Sequence, residues 1–269
     1  MWKTARLTAR PDILGFLETD RLYAAYAIGD LEPGLFERCE WAGAYGTREA
    51  DRLQAAVLRF RGLEPPALFL MGHPEGVRAI LADPSTLSAA GEVCVTCRRE
   101  HLPVARSFLA LDAPAAMWRM VLTQARFRPA EGSCIRLGPQ DIGDLTQLYS
   151  LGGGEAFHPR QLAEGVFYGV KSGDRLVAAA GTHLVSRAYG VAAVGNVFTH
   201  PARRGRGYGA ATTSAVTAEL VAAGIRDVVL NVSQANTPAI RAYERLGFDC
   251  HCPFLEGIAG NLPARAEIV

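Results

Sequence analysis

The chain has 269 residues, and its 28 lysines and arginines nearly balance its 27 aspartates and glutamates, leaving a formal net charge of +1. This length suits one large or two ordinary domains, and a hydrophobic content of 49% supplies their cores. The composition argues against a disordered or fibrous protein, and the charge provides no broad field to hold nucleic acid or an anionic membrane. We therefore predict no nucleic-acid or membrane partner, and we expect any anion site to be local.

Cysteine usage and the opening residues bear on the compartment. Six cysteines are too few for a disulfide scaffold, and the first residues contain no apolar run before a cleavage site. The most apolar stretches are far shorter than the roughly 20 residues that cross a bilayer as a helix. We expect a cytoplasmic protein. Neither Cys94 with Cys97 nor Cys250 with Cys252 has a second pair at metal-ligand spacing, so we predict no metal site.

A domain boundary is predicted where proline, glycine and serine gather, in residues 127–133. We place it at residue 131, which gives an N-terminal α/β domain over 1–131 and a C-terminal domain over 132–269. In the first domain the patterns predict strands at 55–60, 67–71 and 93–97, and helices at 75–82 and 113–125. None of these segments carries a chemical motif.

The second domain alternates strands with helices. The predicted strands are 134–137, 167–170, 175–184, 191–199 and 228–233, and the predicted helices are 139–151, 159–166, 210–223 and 237–246. Gly224 and Gly247 follow the last two helices, where glycine commonly ends a helix.

The segment between the strand 191–199 and the next helix is a loop of alternating glycines and arginines. Its glycines are Gly205, Gly207 and Gly209, and its arginines are Arg203, Arg204 and Arg206. The first four amides of a helix have no internal acceptor, and the helix dipole is positive there, so such a loop suits a phosphate. Glycines allow close approach and positive φ, and the arginines add local charge. A diphosphate fits best; a tight turn with solvated arginines is the plain structural alternative.

Two other phosphate motifs fit the loop less well. A P-loop requires Gly-Lys-Ser/Thr at the helix start, whereas Gly209 is followed by Ala210-Ala211-Thr212. A dinucleotide fold prefers Gly-x-Gly-x-x-Gly and an acid at the end of the next strand. Here the spacing is Gly-x-Gly-x-Gly and that strand ends in Val232-Ser233-Gln234. Nucleotide hydrolysis is disfavoured, and a dinucleotide-dependent oxidoreductase remains only as a weak rival.

Two linked motifs in this half resemble the GNAT superfamily of acyl-CoA N-acyltransferases. The coenzyme A loop of that family, Arg/Gln-x-x-Gly-x-Gly/Ala after a strand ending Val-x-Thr-x-Pro, is matched by Val197, Thr199, Pro201, Arg204, Gly207 and Gly209. The family segment Asn-x-x-Ala-x-x-x-Tyr-x-x-x-Gly-Phe is matched from Asn236 to Phe248. The order and separation of the motifs also fit, and the resemblance covers residues 132–256.

The resemblance implies an α/β (α+β) fold, a mixed central sheet flanked by helices, with acetyl-CoA as acyl donor. It also implies that the strand over 194–199 separates from the next strand and exposes backbone groups to the donor. The implied cofactor-binding residues are Val197, Phe198, Thr199, Arg204, Gly205, Arg206, Gly207, Tyr208, Gly209, Ala210, Asn236 and Tyr243. By analogy with tandem members, the N-terminal half would be a smaller or degenerate copy of the same fold.

Acetyl transfer to an amine requires a neutral nucleophile, a polarised carbonyl and a proton for the leaving thiolate. Tyr243 is our candidate general acid, because a phenol of pKa about 10 can donate to a thiolate whose conjugate acid has a pKa near 8.5. The alternative is a tyrosine that only packs its ring against the sheet. Asn236 or Thr237 should cap the same helix, and the resemblance adds a cofactor contact for Asn236.

The general base has two candidates. His183 lies on a neighbouring predicted strand and its side chain has an ordinary pKa near the working range, although a structural histidine is the plainer interpretation. Glu155 lies in a glycine-rich segment where the family often places acceptor-facing residues. Asn196 stands where some members carry a carboxylate, which argues against a base on that strand.

We therefore interpret the chain as an acetyl-CoA-dependent N-acetyltransferase in which a primary amine of a small molecule or peptide attacks the thioester directly. The alternative is a catalytically silent acyl-CoA-binding sensor. Residues 1–130 would supply either an acceptor wall or the surface of a homodimer, and the sequence does not choose between them.

Overall fold

The computed structural model describes residues 2–46, 52–87, 91–154 and 157–261. The chain divides into two compact units: unit 1 comprises Met1–Met117 and Pro253–Val269, and unit 2 comprises Trp118–Cys252. The division differs from the boundary expected at residue 131, because residues 127–133 run along unit 2 instead of linking two domains. In that segment the amide of Arg128 donates to the carbonyl of Leu246, and the amide of Ala130 donates to Ser214 Oγ.

Unit 1 holds an antiparallel sheet with one parallel pair. Its elements, up to the strand that leads into unit 2, are β1 Trp2–Arg6, α1 Arg10–Leu17, α2 Ala25–Gly29, α3 Pro33–Phe36, β2 Cys39–Gly46, β3 Leu53–Phe60, β4 Ala67–Gly72, α4 Pro74–Ala82, β5 Val93–Cys97, α5 Leu102–Phe108, β6 Leu109–Ala110 and β7 Ala115–Thr123. The strand order is β1-β2-β3-β4-β5, followed by the last strand of the chain, β13 Asp249–Asn261. Apolar side chains of the central strands pack under α4 and α5 to form its core.

Unit 2 has the same arrangement. Its remaining elements are β8 Ile135–Arg136, α6 Ile142–Tyr149, α7 Pro159–Glu164, β9 Phe167–Ser172, β10 Arg175–Ser186, β11 Val191–Thr199, α8 Tyr208–Ala222, β12 Asp227–Ser233 and α9 Thr237–Leu246. The strand order is β8-β9-β10-β11-β12-β7. One core cluster covers the sheet face that carries α8 and α9, and a second covers the face that carries α6 and α7.

The parallel pair occupies the same place in both strand orders. β4 pairs in parallel with β5 in unit 1, and β11 pairs in parallel with β12 in unit 2. In each case a helix, α4 or α8, connects the two parallel strands. The mixed sheet flanked by helices confirms the fold class predicted from the sequence, and the repeated topology agrees with the expected second copy.

The helix predicted over 113–125 is wrong, because this segment is the strand β7. Four consecutive residues, Arg119 to Leu122, are buried, so both faces of the strand are covered. A strand buried on both faces shows no alternation, and its apolar run cannot be told from a buried helix by periodicity. The predictions for 93–97 and 237–246, where caps and alternation are clear, match the observed β5 and α9.

In the described part of the chain, every helix is too short or too polar to span a bilayer.

Gly247 provides a test of how the end of α9 is fixed. It ends the helix at φ 99°, and a Cβ there would lie 2.0 Å from the carbonyl oxygen of Arg126. Gly247→Ala should lower the free energy of unfolding by more than the roughly 1 to 2 kcal/mol that a left-handed residue costs, because the backbone must also move.

Gly224→Ala is the matched control, since Gly224 has φ 77° and a Cβ there meets nothing within 4 Å. Urea unfolding of both variants measures the difference. Equal losses of stability would contradict the steric argument at Gly247.

Candidate functional site

The glycine-rich loop joins the end of β11 to the start of α8. Gly205 and Gly207 have φ values of 75° and 78°, and Gly207 is the N-cap of α8. The helix begins at Tyr208, two residues before the predicted start. Its first hydrogen bond runs from the amide of Ala211 to the carbonyl of Gly207. The amides that precede this bond have no acceptor within the helix, so they form a cluster of donors at its positive end.

Open space lies over this loop. A Cβ added at Gly205 or Gly207 would meet nothing within 4 Å. At Gly209 a Cβ would lie 3.5 Å from Thr199 Oγ1 and 3.9 Å from Val197 Cγ1, so the first turn of α8 passes close to the end of β11. The loop therefore presents its amides beside unfilled space, and the end of β11 lies directly against it.

The three arginines of the loop add positive charge to these amides. Arg204 and Arg206 are exposed and Arg203 is half-buried, and none of the three forms an ion pair with a carboxylate in the described residues. Arg204 Nε donates to the carbonyl oxygen of Thr199 at 3.3 Å, and its guanidinium carbon lies 5.8 Å from the centre of the Phe198 ring. These contacts hold Arg204 next to the loop, where its charge can act on a bound anion.

The parallel strands β11 and β12 separate beside the loop, as the resemblance implied. Their pairing begins at Val191 with Asp227 and ends at Val194 with Leu230, although β11 continues to Thr199 and β12 to Ser233. The backbone of Val197 to Thr199 therefore lacks a β12 partner. Asn231 directly follows the last pair, and its buried side-chain oxygen has no hydrogen-bond partner in the described structure. The wedge between the strands is therefore bordered by backbone groups of β11 that a ligand could satisfy.

An extra residue in β11 marks the point where the strands part. Asn196 has φ 52°, and the register with β10 shifts between the pairs Gly181 with Gly195 and Ala179 with Phe198. A bulge of this kind reverses which face each following side chain occupies. Val194 accordingly packs in the cluster under α8 and α9, whereas Phe198 packs in the opposite cluster under α6.

Tyr149, the last residue of α6, fixes the bulge. Its hydroxyl donates a hydrogen bond of 2.7 Å to the carbonyl oxygen of Asn196, and both residues are buried. Burial raises the pKa of Tyr149 well above its ordinary value, so the phenol remains a donor. The hydrogen bond satisfies a carbonyl that the bulge removes from the regular strand pairing.

α9 lies in the same core cluster as the apolar face of β11. Asn236 caps this helix, as predicted, by accepting from the amide of Ala239 at 3.2 Å. Tyr243 is 7% exposed and belongs to that cluster, and burial raises its pKa to about 12. Its hydroxyl makes no hydrogen bond with the described residues. The ring of Tyr243 therefore packs in the core, as expected for a tyrosine with a structural role, while its hydroxyl can still donate a hydrogen bond.

The two candidate bases have different outcomes. His183 lies half-buried on β10, next to the bulge of β11. Burial lowers the pKa of His183 to about 4; the nearby Asn196 side chain opposes this shift, and the positive charge of Arg119 adds to it. His183 is therefore neutral at physiological pH. Glu155 lies outside the described residues, so its role stays a prediction.

In the described ranges, no group of three or more histidine, cysteine, aspartate or glutamate side chains could hold a metal ion. Cys97 is buried in the core of unit 1, whereas Cys94 is half-buried, because alternation along a strand places residues three apart on opposite faces.

The family model described as "Acetyltransferase (GNAT) family" matches residues 143–248. This range contains the glycine-rich loop, the bulge of β11 and the whole of α9. Residues 143–248 form a GNAT acetyltransferase domain. No curated protein matches the sequence.

Solved structures share the fold of the GNAT domain and of unit 1. A GCN5-related N-acetyltransferase from Sphaerobacter thermophilus is 14% identical, and the match covers 97% of this chain and 96% of that one with a TM-score of 0.62. A tandem GNAT protein from the clavulanic acid biosynthesis pathway is 15% identical, and the match covers 98% and 100% of the two chains with a TM-score of 0.55. A GNAT-family protein from Novosphingobium aromaticivorans is 24% identical over 77% of this chain and 89% of its own, with a TM-score of 0.57. At these identities the matches show the fold alone.

Unit 1 repeats the strands of the GNAT domain but not its loop. α4 begins at Pro74, which has no amide hydrogen, and Glu75 places a negative charge in the first turn. Gly72 is the last residue of β4, and its carbonyl oxygen accepts a hydrogen bond of 2.7 Å from Nε2 of the buried His101. The features that suit a phosphate are therefore found in the GNAT domain, and the corresponding turn of unit 1 disfavours an anion.

Sequence reasoning missed two polar residues of the GNAT domain. Gln161 on α7 accepts hydrogen bonds from the His158 amide and from Asn196 Nδ2, and it donates one to the carbonyl oxygen of His183. The sequence analysis treats Asn196 only as a residue that stands where some family members carry a carboxylate. The glycine before Asn196 could have indicated the bulge, because a glycine inside a strand often marks one. No local pattern identifies Gln161, since its contacts come from the fold.

The hydrogen bond between Tyr149 and the bulge can be tested directly. Tyr149→Phe leaves the buried carbonyl of Asn196 without its donor, which should cost about 1 to 3 kcal/mol of unfolding free energy. Tyr45→Phe is a control, because no hydrogen bond of the Tyr45 hydroxyl occurs in the described residues. Chemical unfolding measures both variants, and equal stabilities would contradict the role given to Tyr149.

Proposed function

We propose that the protein is an acetyl-CoA-dependent N-acetyltransferase, in which a primary amine attacks the thioester directly. The observation that carries this proposal is the glycine-rich loop, whose amides face open space at the N-terminus of α8 beside the separated end of β11. A small molecule or peptide would supply the amine, and the cytoplasm is the setting that the scarcity of cysteines favours.

The loop suits the diphosphate of coenzyme A for three physical reasons. The amides before Ala211 are free within the helix, and the helix dipole adds positive charge at the same end. Arg204 and Arg206 are exposed next to them and can approach an anion. Glycines at Gly205 and Gly207 allow positive φ and leave the space that phosphate oxygens need.

The wedge between β11 and β12 suits the pantetheine arm, which carries amides of its own. Backbone groups of Val197 and Thr199 on the unpaired side of β11 can hydrogen-bond with it. The bound thioester supplies the acyl group and a thiolate leaving group. The remaining tasks, which are to accept a proton from the amine and to donate one to the thiolate, fall to side chains of this chain.

Tyr243 is the proposed donor of the second proton. With a pKa of about 12, its phenol is fully protonated throughout the neutral range. A raised pKa makes the phenol a weaker acid, but it also ensures that the proton is present whenever the thiolate leaves. The absence of a competing hydrogen bond in the described residues leaves the hydroxyl free to act on a ligand.

Gly207→Val tests the placement of the diphosphate. The side chain would enter the open space over the loop, so acetyl-CoA binding measured by calorimetry should be lost or weakened at least about 100-fold, or roughly 2.7 kcal/mol. Gly224→Val is the matched control, because Gly224 also has a positive φ and open space but lies at the other end of α8. Wild-type affinity in folded Gly207→Val would refute the placement.

The same titration of the wild-type chain should give one acetyl-CoA per chain, because unit 1 has Pro74 and Glu75 where the loop would be. NAD should not bind. A panel of amino acids, amino sugars, polyamines and a lysine peptide then separates an enzyme from a sensor. Release of CoA thiol with any of these amines supports the enzyme, whereas binding without turnover supports the sensor.

Tyr243→Phe tests the proposed acid. Loss of the phenolic proton should lower kcat by about 10²- to 10⁴-fold, while the affinity for acetyl-CoA stays within about twofold, because only the late proton donation is removed. Steady-state kinetics and calorimetry measure the two effects separately. An unchanged kcat, with chemistry shown to limit the rate, would remove Tyr243 from the mechanism.

A further inference from the structure

We propose that Tyr149 is a positioning residue for the acyl donor, because its hydroxyl fixes the peptide group from which the unpaired end of β11, Val197 to Thr199, begins. This inference rests on the proposed N-acetyltransferase function and adds a residue of α6 to donor binding. Four features support it: the place of the hydrogen bond, the packing of the ring, a second hold from α7 and the same hydrogen bond in unit 1.

The hydrogen bond from Tyr149 lies at the start of the unpaired end of β11. The last parallel pair of β11 and β12 is Val194 with Leu230, and Asn196 lies two residues farther along. The carbonyl oxygen of Asn196 accepts the bond, and Val197 is the next residue. Tyr149 therefore holds the chain at the point where β11 leaves its partner strand.

The carbonyl of Asn196 and the amide N–H of Val197 belong to one peptide group. This group is planar and trans, so its C=O and N–H bonds point in opposite directions. Because Tyr149 holds the oxygen on the side of α6, the N–H of Val197 is directed away from that helix. Asn196 has φ 52°, a region that few residues other than glycine occupy, so this peptide depends on such support.

The ring of Tyr149 is fixed by its neighbours, so its hydroxyl stays beside the carbonyl. Its centre lies 5.2 Å from the ring centre of Phe157 and 6.3 Å from that of Phe198. A Cβ added at Gly154 would lie 2.4 Å from Tyr149 Cγ, so the backbone of this glycine covers the ring. Burial raises the pKa of the phenol, which keeps the proton that it donates.

The side chain of the bulge residue is held from α7. Gln161 Oε1 accepts from Asn196 Nδ2 at 3.1 Å and from the amide of His158 at 3.0 Å. The second bond is part of the N-terminal cap of α7, so the position of Gln161 is set by its own helix. α6 therefore holds the carbonyl of Asn196 while α7 holds its side chain.

Unit 1 contains the same hydrogen bond at the corresponding place. The Tyr23 hydroxyl donates to the carbonyl oxygen of Leu70 at 3.1 Å. Leu70 directly follows the last parallel pair of β4 and β5, which is Phe69 with Thr96. In each unit the tyrosine precedes its acceptor by 47 residues. The bond belongs to the repeated fold, whereas the glycine-rich loop belongs to unit 2, so Tyr23 is an internal control for Tyr149.

Tyr149→Phe removes the hydroxyl and keeps the ring. The peptide after Asn196 can then rotate, so the affinity for acetyl-CoA should fall by about tenfold, as expected when the order supplied by one hydrogen bond is lost. The nucleotide half of CoA, 3′-phospho-ADP, carries the diphosphate without the pantetheine arm. Its affinity should stay within about twofold, because the glycine-rich loop is unchanged. Calorimetry with both ligands measures the difference.

Tyr23→Phe is the matched control. It should lose a similar amount of stability in chemical unfolding, because a buried carbonyl again loses its donor. Both ligands should bind to it as they bind to the wild-type chain, since Leu70 lies in unit 1. If the role of Tyr149 were structural only, the two variants would behave alike, with lower stability and unchanged affinity for acetyl-CoA.

Gln161→Leu is the second variant, in case Tyr149→Phe does not fold. It removes the acceptor of the Asn196 side chain, so it should weaken acetyl-CoA binding and leave 3′-phospho-ADP binding unchanged. Gln161→Glu keeps an acceptor oxygen at the same place and should retain the wild-type affinity for both ligands.

Two results would overturn the inference. The first is an affinity for acetyl-CoA within about threefold of wild type in folded Tyr149→Phe, or in folded Gln161→Leu if the first variant is unfolded. The second is an equal loss of affinity for 3′-phospho-ADP. The proposed function fails in a different way, because the wild-type chain would then release no CoA with any amine while the selective loss in Tyr149→Phe still appears. A wild-type chain that binds neither ligand would overturn both.

Discussion

The site depends on one extra residue in the central strand of unit 2. The bulge at Asn196 ends the pairing between β11 and β12, and it reverses the faces of the residues that follow. Phe198 can then pack under α6 while Val197 packs on the side of α8 and α9. Beyond the bulge, the backbone from Val197 to Thr199 has no partner in β12 and is available to a ligand.

The proposed diphosphate site relies on local electrostatics, because the chain as a whole has almost no net charge. The formal charge of +1 provides no long-range attraction. The amides before Ala211, the dipole of the 15-residue helix α8 and the exposed guanidinium groups of the loop act at close range instead. Near His183 the environment changes, because burial and the positive charge of the buried Arg119 disfavour a second cation there. Under the proposed function, an amine that reaches this region as an ammonium ion would find the charged form disfavoured there.

Much of the architecture could be predicted from local patterns. The alternation of buried and half-buried residues along β5, and the asparagine and glycine caps of α9, are set by residues close together in the sequence. The predicted bounds of 93–97 and 237–246 therefore agree with the structure. The strand β7 was mistaken for a helix because its burial on both faces removes the alternation. A glycine inside a strand, such as Gly195, can indicate a bulge, but the register shift itself could not be predicted because it is a property of two strands together. Gln161 was missed for the same reason, since its partners lie on α7, β10 and β11.

The assignment of Pro253–Val269 to unit 1 has a consequence for the order in which the chain folds during synthesis. Residues Leu255 to Ala259 pair with Val93 to Cys97, so a strand synthesised after unit 2 pairs with a strand synthesised before it. Domains usually fold from the N-terminus as they leave the ribosome. Here β5 cannot pair with β13 until the whole of unit 2 has been synthesised. The sheet of unit 1 is therefore completed only after unit 2 has emerged.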